Sequence, residues 1–447
     1  MRAVAESVVW FRRDLRTGDH PALLAAAERG SSALGLFVLD ERLTGASGGP
    51  RLAFLYRCLR DLDEQLGGRL LVVRGDPVDV VPRVAKAVGA GSVHVSADFG
   101  PYGRERDTAV AKALEVDLVR TGSPYAVAPG RVVKSDGEPY RVFTPFGRAW
   151  LDHGWRKPAD TDASTVDWMD PADKDGGPRR VAIPDDPATS AELPQAGEKA
   201  AHDTWAEFDV EHYKRDRDRP DVDSTSRMSP YLRWGCVHPR TLLADLGHSE
   251  GAQAYRNELA WRDFYADVLW HRPETARENY NRKFDAITHD TDADAQDRFD
   301  AWCRGETGYP IVDAGMRQLL AEGWMHNRVR MIVASFLVKD LHVPWWWGAR
   351  HFMRHLVDGD LASNQHGWQW TAGSGTDAAP YFRVFNPTTQ GEKFDPNGDY
   401  VRRYIPELRE VPGKKAHQPP EVTGYPAPIV DHKHEREIAL ERYGKIK

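Results

Sequence analysis

From Asp358 the chain reads DGDLASNQHGWQWTAGSGTDAAPYFRVFNPTTQGEKFD. Two carboxylates (Asp358, Asp360), an amide (Asn364) and two tryptophans (Trp368, Trp370) crowd into its first half. So much aromatic surface beside so many polar groups marks the stretch as the leading candidate for a site. Within it, GSGTDA (Gly373 to Ala378) fits the loose dinucleotide pattern G-x-G-x-x-G/A. That fingerprint requires a preceding strand in a βαβ unit, and here it follows NQHGWQW inside a helical region, so the match is set aside.

Three further stretches carry comparable chemistry. In DSTSRMSPYLRWG, from Asp223, the hydroxyls of Thr225, Ser226 and Ser229 precede a helical run. They either cap that helix or, with its N-terminus, offer donors to a diphosphate. Taken alone, the cap is the stronger reading. NELAWRDFY puts Glu258 and Trp261 on one helical face and Glu258 one turn from Arg262, the spacing of a surface ion pair. WMHNRVRM sets Asn327 and Met331 one turn apart, with Arg328 and Arg330 between them. Arginines there can meet DNA phosphates or buried carboxylates such as Asp358 and Asp360. VPWWWGARHF adds Trp345, Trp346 and Trp347, which cannot all face one core, so at least one lines a cavity or nears the surface.

The elements that must position these residues fall into two kinds. Up to about residue 128, short apolar runs (SVVWF, ALGLFVLD, RLLVVRGD, SVHVSAD and VDLV) alternate with amphipathic stretches. Leu52, Leu55, Tyr56, Leu59, Leu62 and Leu66 recur at helical spacing between the second and third runs. This pattern predicts βαβ units and a doubly wound parallel sheet, whose ligands sit at the carboxyl ends of the strands, around Asp40–Arg51 and Asp98–Arg106. Residues 129–203 read as a connection, richest in Pro, Asp, Ala and Gly from about 156, lying over the surface and partly mobile. From 204 to 447 the periodicity is helical, predicting an all-α domain. The expected fold class is therefore α/β followed by all-α.

Composition agrees with that division. The chain has 447 residues, too many for one ordinary core. It has 15 tryptophans, all but Trp10 at or after Trp150. A net charge of −7 means that any nucleic-acid-binding face is local. Cys58, Cys236 and Cys303 are too few and too scattered for a disulfide framework or a metal cluster and suit a reducing cytoplasm. No run is long and apolar enough for a signal peptide or a membrane span.

In order and spacing these stretches resemble the photolyase/cryptochrome family, most closely the bacterial class I cyclobutane pyrimidine dimer photolyases. The resemblance runs from VVWFRRDLRTGDHPAL through TGYPIVDAGMRQLLAEGWMHNRVRMIVASFLVKDL to the stretch quoted first. It implies that the helical domain holds FAD. Tyr213, Thr225, Ser226 and Ser229 would lie on the phosphate side, with Asp358 and Asp360 at the flavin end. Arg330 would pair with Asp358, and Asn364 would lie beside flavin N5. Glu258, Trp261, Asn327, Arg328, Met331 and Trp370 would surround a pyrimidine dimer flipped out of DNA. The implied reaction is redox-neutral: excited, reduced flavin lends the dimer an electron, the ring splits and the electron returns. Glu258 would stabilise the radical anion through the pyrimidine carbonyls, which requires it to be protonated or bridged.

The resemblance makes Trp368 and Trp345 the inner members of a three-tryptophan relay. The outer member lies about ten residues before the tryptophan of AWCRGETGYP. In this chain that position falls on Asp292, leaving Trp346 or Trp347 as substitutes. His326 is followed by Asn327 rather than a second histidine, which favours the cyclobutane substrate over (6-4) lesions. Three cysteines cannot supply the four ligands of the iron–sulfur branch. SADFGPYGRERD resembles an 8-hydroxy-5-deazaflavin antenna pocket, with Phe37, Arg51, Asp98 and Arg106 as contacts and Gly103 where the folate type has glutamate. Methenyltetrahydrofolate, FMN or an empty pocket are the alternatives. The expected partner is dimer-containing DNA, bound by a monomer with no membrane association. A cryptochrome-like photoreceptor is the alternative function. A nicotinamide-linked flavin oxidoreductase is a third, without a well-placed dinucleotide motif.

Overall fold

The structure is a computed structural model describing residues 6–30, 32–171, 177–377 and 383–446. Five strands form one parallel sheet: β1 (Glu6–Phe11), β2 (Ala33–Leu39), β3 (Leu70–Arg74), β4 (Ala90–Val95) and β5 (Asp117–Arg120). Their spatial order is β3-β2-β1-β4-β5, so the direction of winding reverses at β1. Each strand coincides with one of the apolar runs, because a sheet covered on both faces needs uninterrupted apolar sequence. Alternate residues serve the two faces. Val8, Trp10, Leu36 and Val38 pack with α4 (Pro77–Ala87) and α5 (Pro101–Ala113). Val9, Phe11, Phe37 and Leu39 pack with α1 (Pro21–Arg29) and α3 (Gly49–Gln65). Part of the predicted Asp40–Arg51 loop is helical, as α2 (Glu41–Thr44) and the start of α3.

The connection is more structured than its composition suggests. It contains α6 (Phe143–His153), which packs on the helical half through buried Phe146 and Trp150. The Trp150 indole donates to Asp263 at 2.9 Å. Farther along, Trp168 closes over β2 and Val181 N–H donates to Val72 at the sheet edge. Such anchors replace a free strap with a segment fastened to both halves.

Beyond it lie α7 (Glu198–Ala206), α8 (Tyr213–Asp216), α9 (Ser229–Trp234), α10 (Pro239–Asp245), α11 (Glu250–His271), α12 (Ala293–Arg304) and α13 (Pro310–Glu322). They are followed by α14 (Asn327–Lys339), α15 (Trp345–His355), α16 (Leu361–Ala372), α17 (Pro387–Phe394), α18 (Asp399–Tyr404) and α19 (His432–Gly444). Among the described residues this half has no strand, and no helix is long and apolar enough to cross a membrane. GSGTDA begins at Gly373, the left-handed C-cap of α16, with no strand before it, and Ala378 to Phe382 lie outside the described residues. The dinucleotide match is accidental.

The two halves share one apolar core: the face of the sheet covered by α3 is continuous with Tyr231, Trp234 and Phe264. Cys58 and Cys236, distant in sequence, meet there with sulfurs 3.4 Å apart. The segment after β1 crosses the boundary. Leu15 N–H donates to Trp234 at 3.1 Å and Arg16 donates to Gly235 at 3.0 Å. Gly235 has φ 69°, and a Cβ there would lie 2.1 Å from the Arg13 carbonyl, so only glycine fits. Asp19 receives Arg240 at 2.5 Å and Thr241 at 3.2 Å, both from α10.

Asp19 and Arg240 are both buried, so removing one strands the other's charge. We expect Asp19→Ala to cost about 3–5 kcal/mol, read as a lower urea midpoint with mid-transition slope retained. An unchanged midpoint would show that this pair does not fasten the halves together.

Candidate functional site

The helical half encloses a cavity of about 540 Å³, within the range of small-molecule sites. All the residues expected at cofactor and substrate line it except Trp345. At one side α16 starts at its N-cap Asp360, whose side chain accepts from Ser363 N–H at 3.1 Å. The other Asp360 oxygen takes Arg13, from beyond β1, at 2.8 Å. Burial opposes ionisation of Asp360, but Arg13, Arg233 and Arg262 outweigh it and hold the carboxyl below the usual range. Asp358 is paired through Oδ2 with Arg330 at 2.8 Å, as the sequence reading expected. Its Oδ1 is buried with no partner in the protein. Asn364 donates its amide to Ala349 and Gln365, leaving the amide oxygen as its acceptor.

The hydroxyl cluster resolves the cap question. The N-cap of α9 is Met228, with no side-chain cap. Thr225 and Ser226 therefore precede the helix without capping it, and Ser229 opens it. Ser226 shares a hydrogen bond with Tyr255 at 2.9 Å, and Ser229 accepts the Trp324 indole at 3.2 Å. Tyr213, on the short α8, packs edge-on against Tyr255. The Arg227 guanidinium lies over the Trp324 ring, its Cζ 3.8 Å from the centroid.

A second group gathers on α11, α14 and the end of α16. Glu258 does not pair with Arg262 as the helical spacing suggested. Its partner is Arg217 at 2.7 Å, while Arg262 donates to the carbonyls of Pro124 and Leu232. Burial raises the Glu258 pKa against the opposing pull of Arg217. Trp261 lies on the same face, with Phe143 stacked on it at 3.8 Å and 9°. Arg328 pairs with Asp218 at 2.9 Å, and His326 caps α14, accepting from Arg328 N–H. Arg217 escaped the sequence reading because it sits in YKRDRDRPD, which reads as a solvated charge run. Phe143 escaped it because nothing in sequence ties it to α11.

Trp368 lines the cavity wall, and Trp345 is buried on α15, its indole donating to Asn279 at 2.9 Å. Trp346 meets Trp345 edge-on at 6.0 Å and is only partly buried. Trp347 instead packs on Phe299. Asp292 is the N-cap of α12, accepting from Ala295 N–H at 2.8 Å.

The four antenna candidates separate. Asp98 and Arg106 pair at 3.2 Å beyond β4, and Arg106 also binds Asp107, which holds Arg12. The guanidinium of Arg106 lies over Trp10. Phe37 is in the core. Arg51 contacts Ser47 and Met353 at the boundary between the halves, where Asp358 and Asp360 attract its charge against the cost of burial. A Cβ on Gly103 would lie 2.2 Å from the Asp98 carboxylate, so glutamate does not fit there.

Comparison with known proteins agrees with this fold. The profile of the family described as DNA photolyase matches residues 7–164, and that of the FAD binding domain of DNA photolyase matches residues 255–445. The deoxyribodipyrimidine photo-lyase of Streptomyces griseus is 41% identical over 95% of this chain and 96% of its own. A bacterial class III photolyase from Agrobacterium tumefaciens superposes with a TM-score of 0.91 at 37% identity, covering 100% of this chain and 98% of that one. A Synechocystis cryptochrome gives 0.89 at 28% identity, covering 99% and 100%.

The cap on α14 makes a pH prediction. Burial lowers the His326 pKa from 6.5 to about 4, so the folded state favours neutral imidazole. The stabilisation is complete above pH 6.5 and is lost as pH falls toward 4. Asn caps well without titrating, so His326→Asn should lose less stability than the wild type over that window, measured by urea midpoints at pH 7 and pH 4. Equal losses would show that His326 does not contribute to acid sensitivity.

Proposed function

The chain belongs to the DNA photolyase family, and from that premise we propose that its cavity binds FAD in its depth and, at its mouth, a cyclobutane pyrimidine dimer flipped out of DNA. It is a deoxyribodipyrimidine photo-lyase, a carbon–carbon lyase of DNA repair driven by blue light. The observation that supports this reading most is the joining, in one cavity, of buried arginine-held carboxylates with Glu258, Trp261 and Trp370.

The residues fit FAD. The unpartnered Oδ1 of Asp358 is an acceptor with nothing in the protein to satisfy it, and a buried carboxylate oxygen left so is costly. Asp358 would use that oxygen to accept a flavin N–H. Arg330 and Arg13 keep Asp358 and Asp360 in place for the flavin end, and Asn364 presents its amide oxygen. Tyr213, Thr225, Ser226 and Ser229 meet the diphosphate side. Reduced FAD, when bound, supplies under blue light the electron that opens the cyclobutane ring.

Everything else is done by side chains of this chain. Trp261 and Trp370 replace the stacking that the dimer loses on leaving the duplex. Asn327, Arg328 and Met331 complete the wall. Glu258, weakened as an acid by burial, holds a hydrogen bond to the pyrimidine carbonyls with Arg217 beside it. Trp368 and Trp345 form the inner relay, and Trp346, edge-on to Trp345 and partly exposed, is its way to the surface in place of a residue at 292.

The deazaflavin antenna fits less well. Asp98, Arg106, Asp107 and Arg12 satisfy one another beside Trp10, Arg51 lies apart, and a heterocycle there must displace Arg106. FAD is therefore the one chromophore assigned. The protein acts on DNA in the cytoplasm, as a monomer.

Trp261→Ala should weaken binding of a dimer-containing duplex by about 1–3 kcal/mol while leaving affinity for undamaged duplex unchanged, measured by fluorescence anisotropy. Equal affinity of variant and wild type for the lesion would remove Trp261 from the pocket. Trp346→Phe should slow light-driven reduction of oxidised flavin several-fold in the presence of a thiol and spare repair by pre-reduced protein. A wild-type reduction rate would place the exit elsewhere.

A further inference from the structure

Two loops distant in sequence meet behind the mouth of the cavity. One is the end of α16 with the turn after it; the other leads into α6. The turn folds back on its helix: Gly375 N–H donates to Gln369 at 3.0 Å, and a Cβ on Gly375 would lie 2.7 Å from the Trp370 nitrogen. Thr376 then donates its hydroxyl to the Arg141 carbonyl, which joins the turn to the second loop. Asp377 follows in the left-handed region at φ 54°, a conformation uncommon outside glycine, asparagine and aspartate.

Asp377 makes two contacts in opposite directions. Its carbonyl accepts the Trp370 indole N–H at 3.1 Å. Its carboxylate faces the backbone N–H of Phe143, the first residue of α6, whose N-cap Val142 offers no side-chain acceptor to the first turn. Phe143 in turn lies flat on Trp261. The contacts Trp370–Asp377 and Phe143–Trp261, with Thr376 bound to Arg141 between them, thus link the two tryptophans across the two loops.

We propose that Asp377 and Phe143 are positioning residues that hold Trp261 and Trp370 in a fixed arrangement, so that the two lesion walls stand ready before DNA binds. The proposal rests on the lesion-binding role given to those tryptophans above. Neither Asp377 nor Phe143 lines the cavity, so both act through the indoles. Phe143 occupies one face of Trp261 and leaves the other for a base. Asp377 fixes the tilt of Trp370 and, through the N-terminus of α6, the seat of Phe143. Preorganisation of this kind lowers the ordering cost of binding and leaves the chemistry after binding untouched.

The test uses full-length, flavin-loaded Phe143→Ala, Phe143→Tyr, Asp377→Gly and Asp377→Asn. Tyrosine keeps the stack. Asparagine keeps an acceptor and tolerates positive φ, whereas glycine relieves the backbone but removes the cap. Phe143→Ala and Asp377→Gly should bind a dimer-containing duplex about tenfold more weakly, with wild-type flavin content and wild-type repair yield per bound dimer. Phe143→Tyr and Asp377→Asn should restore wild-type affinity. Hydroxyl-radical footprinting of DNA-free protein, read by mass spectrometry, gives a measure independent of any lesion. Labelling of Trp261 should rise several-fold in Phe143→Ala, and labelling of both tryptophans in Asp377→Gly. Wild-type labelling in both variants overturns the linkage itself. Raised labelling with unchanged dimer affinity overturns its role in lesion binding. A wild-type protein that does not distinguish damaged from undamaged duplex overturns instead the reading of the pocket, while footprinting still decides the linkage.

Discussion

Two arginine-paired carboxylates against the cavity, Asp358 and Asp360, are the constraint on which the rest of the structure depends. A buried charge survives only with a partner of opposite sign and good geometry. Arg330 supplies it for Asp358 from within the helical half. For Asp360 it comes from Arg13, which belongs to the sheet half. The cavity therefore cannot be completed by the helices alone: one of its ion pairs requires the segment after β1 to reach across the boundary. Gly235, Leu15 and Asp19 secure that segment, and the continuous apolar core behind them holds the two halves in register.

That arrangement separates two tasks along one cavity. Most polar groups that line the cavity are satisfied by the protein; Asp358 Oδ1, an acceptor, and the donors Arg233 Nη1 and Arg328 Nε are buried without a partner in it. At the mouth the surfaces are aromatic and partly exposed, and Glu258 is paired with Arg217. On the reading proposed above, fixed charges for a resident cofactor and preset stacking surfaces for a visiting base are different demands. The helical scaffold meets them with α16, which starts at Asp360 and ends just past Trp370.

Much of this was legible in the sequence. The five strands stand out because a sheet buried on both faces leaves no polar alternation to confuse the reading. The cavity residues stand out because Asp, Asn and Trp at helical spacing in α16 serve poorly as plain core. What stayed hidden was pairing across distance. Glu258 and Arg262 have the right separation for an ion pair, yet the partner is Arg217, just past the end of α8. Arg51 looked like a strand-end contact and lies at the boundary between the halves. The connection looked like a bare strap because its Pro, Asp and Gly content masks α6, whose buried side chains belong to the core of the helical half. That position 292 carries no aromatic was visible at once; that Trp346 rather than Trp347 meets Trp345 edge-on required the coordinates.

The most direct test is repair itself. Protein loaded with FAD, reduced in advance without oxygen and given an oligonucleotide with a single thymine cyclobutane dimer, should remove many dimers per molecule under blue light and none in the dark. Because the flavin is already reduced, the result does not depend on the tryptophan relay. Loss of the dimer in light alone, over several turnovers, is the predicted outcome. An intact dimer after illumination of flavin-loaded, reduced protein would contradict the account and leave the cavity to a photoreceptor.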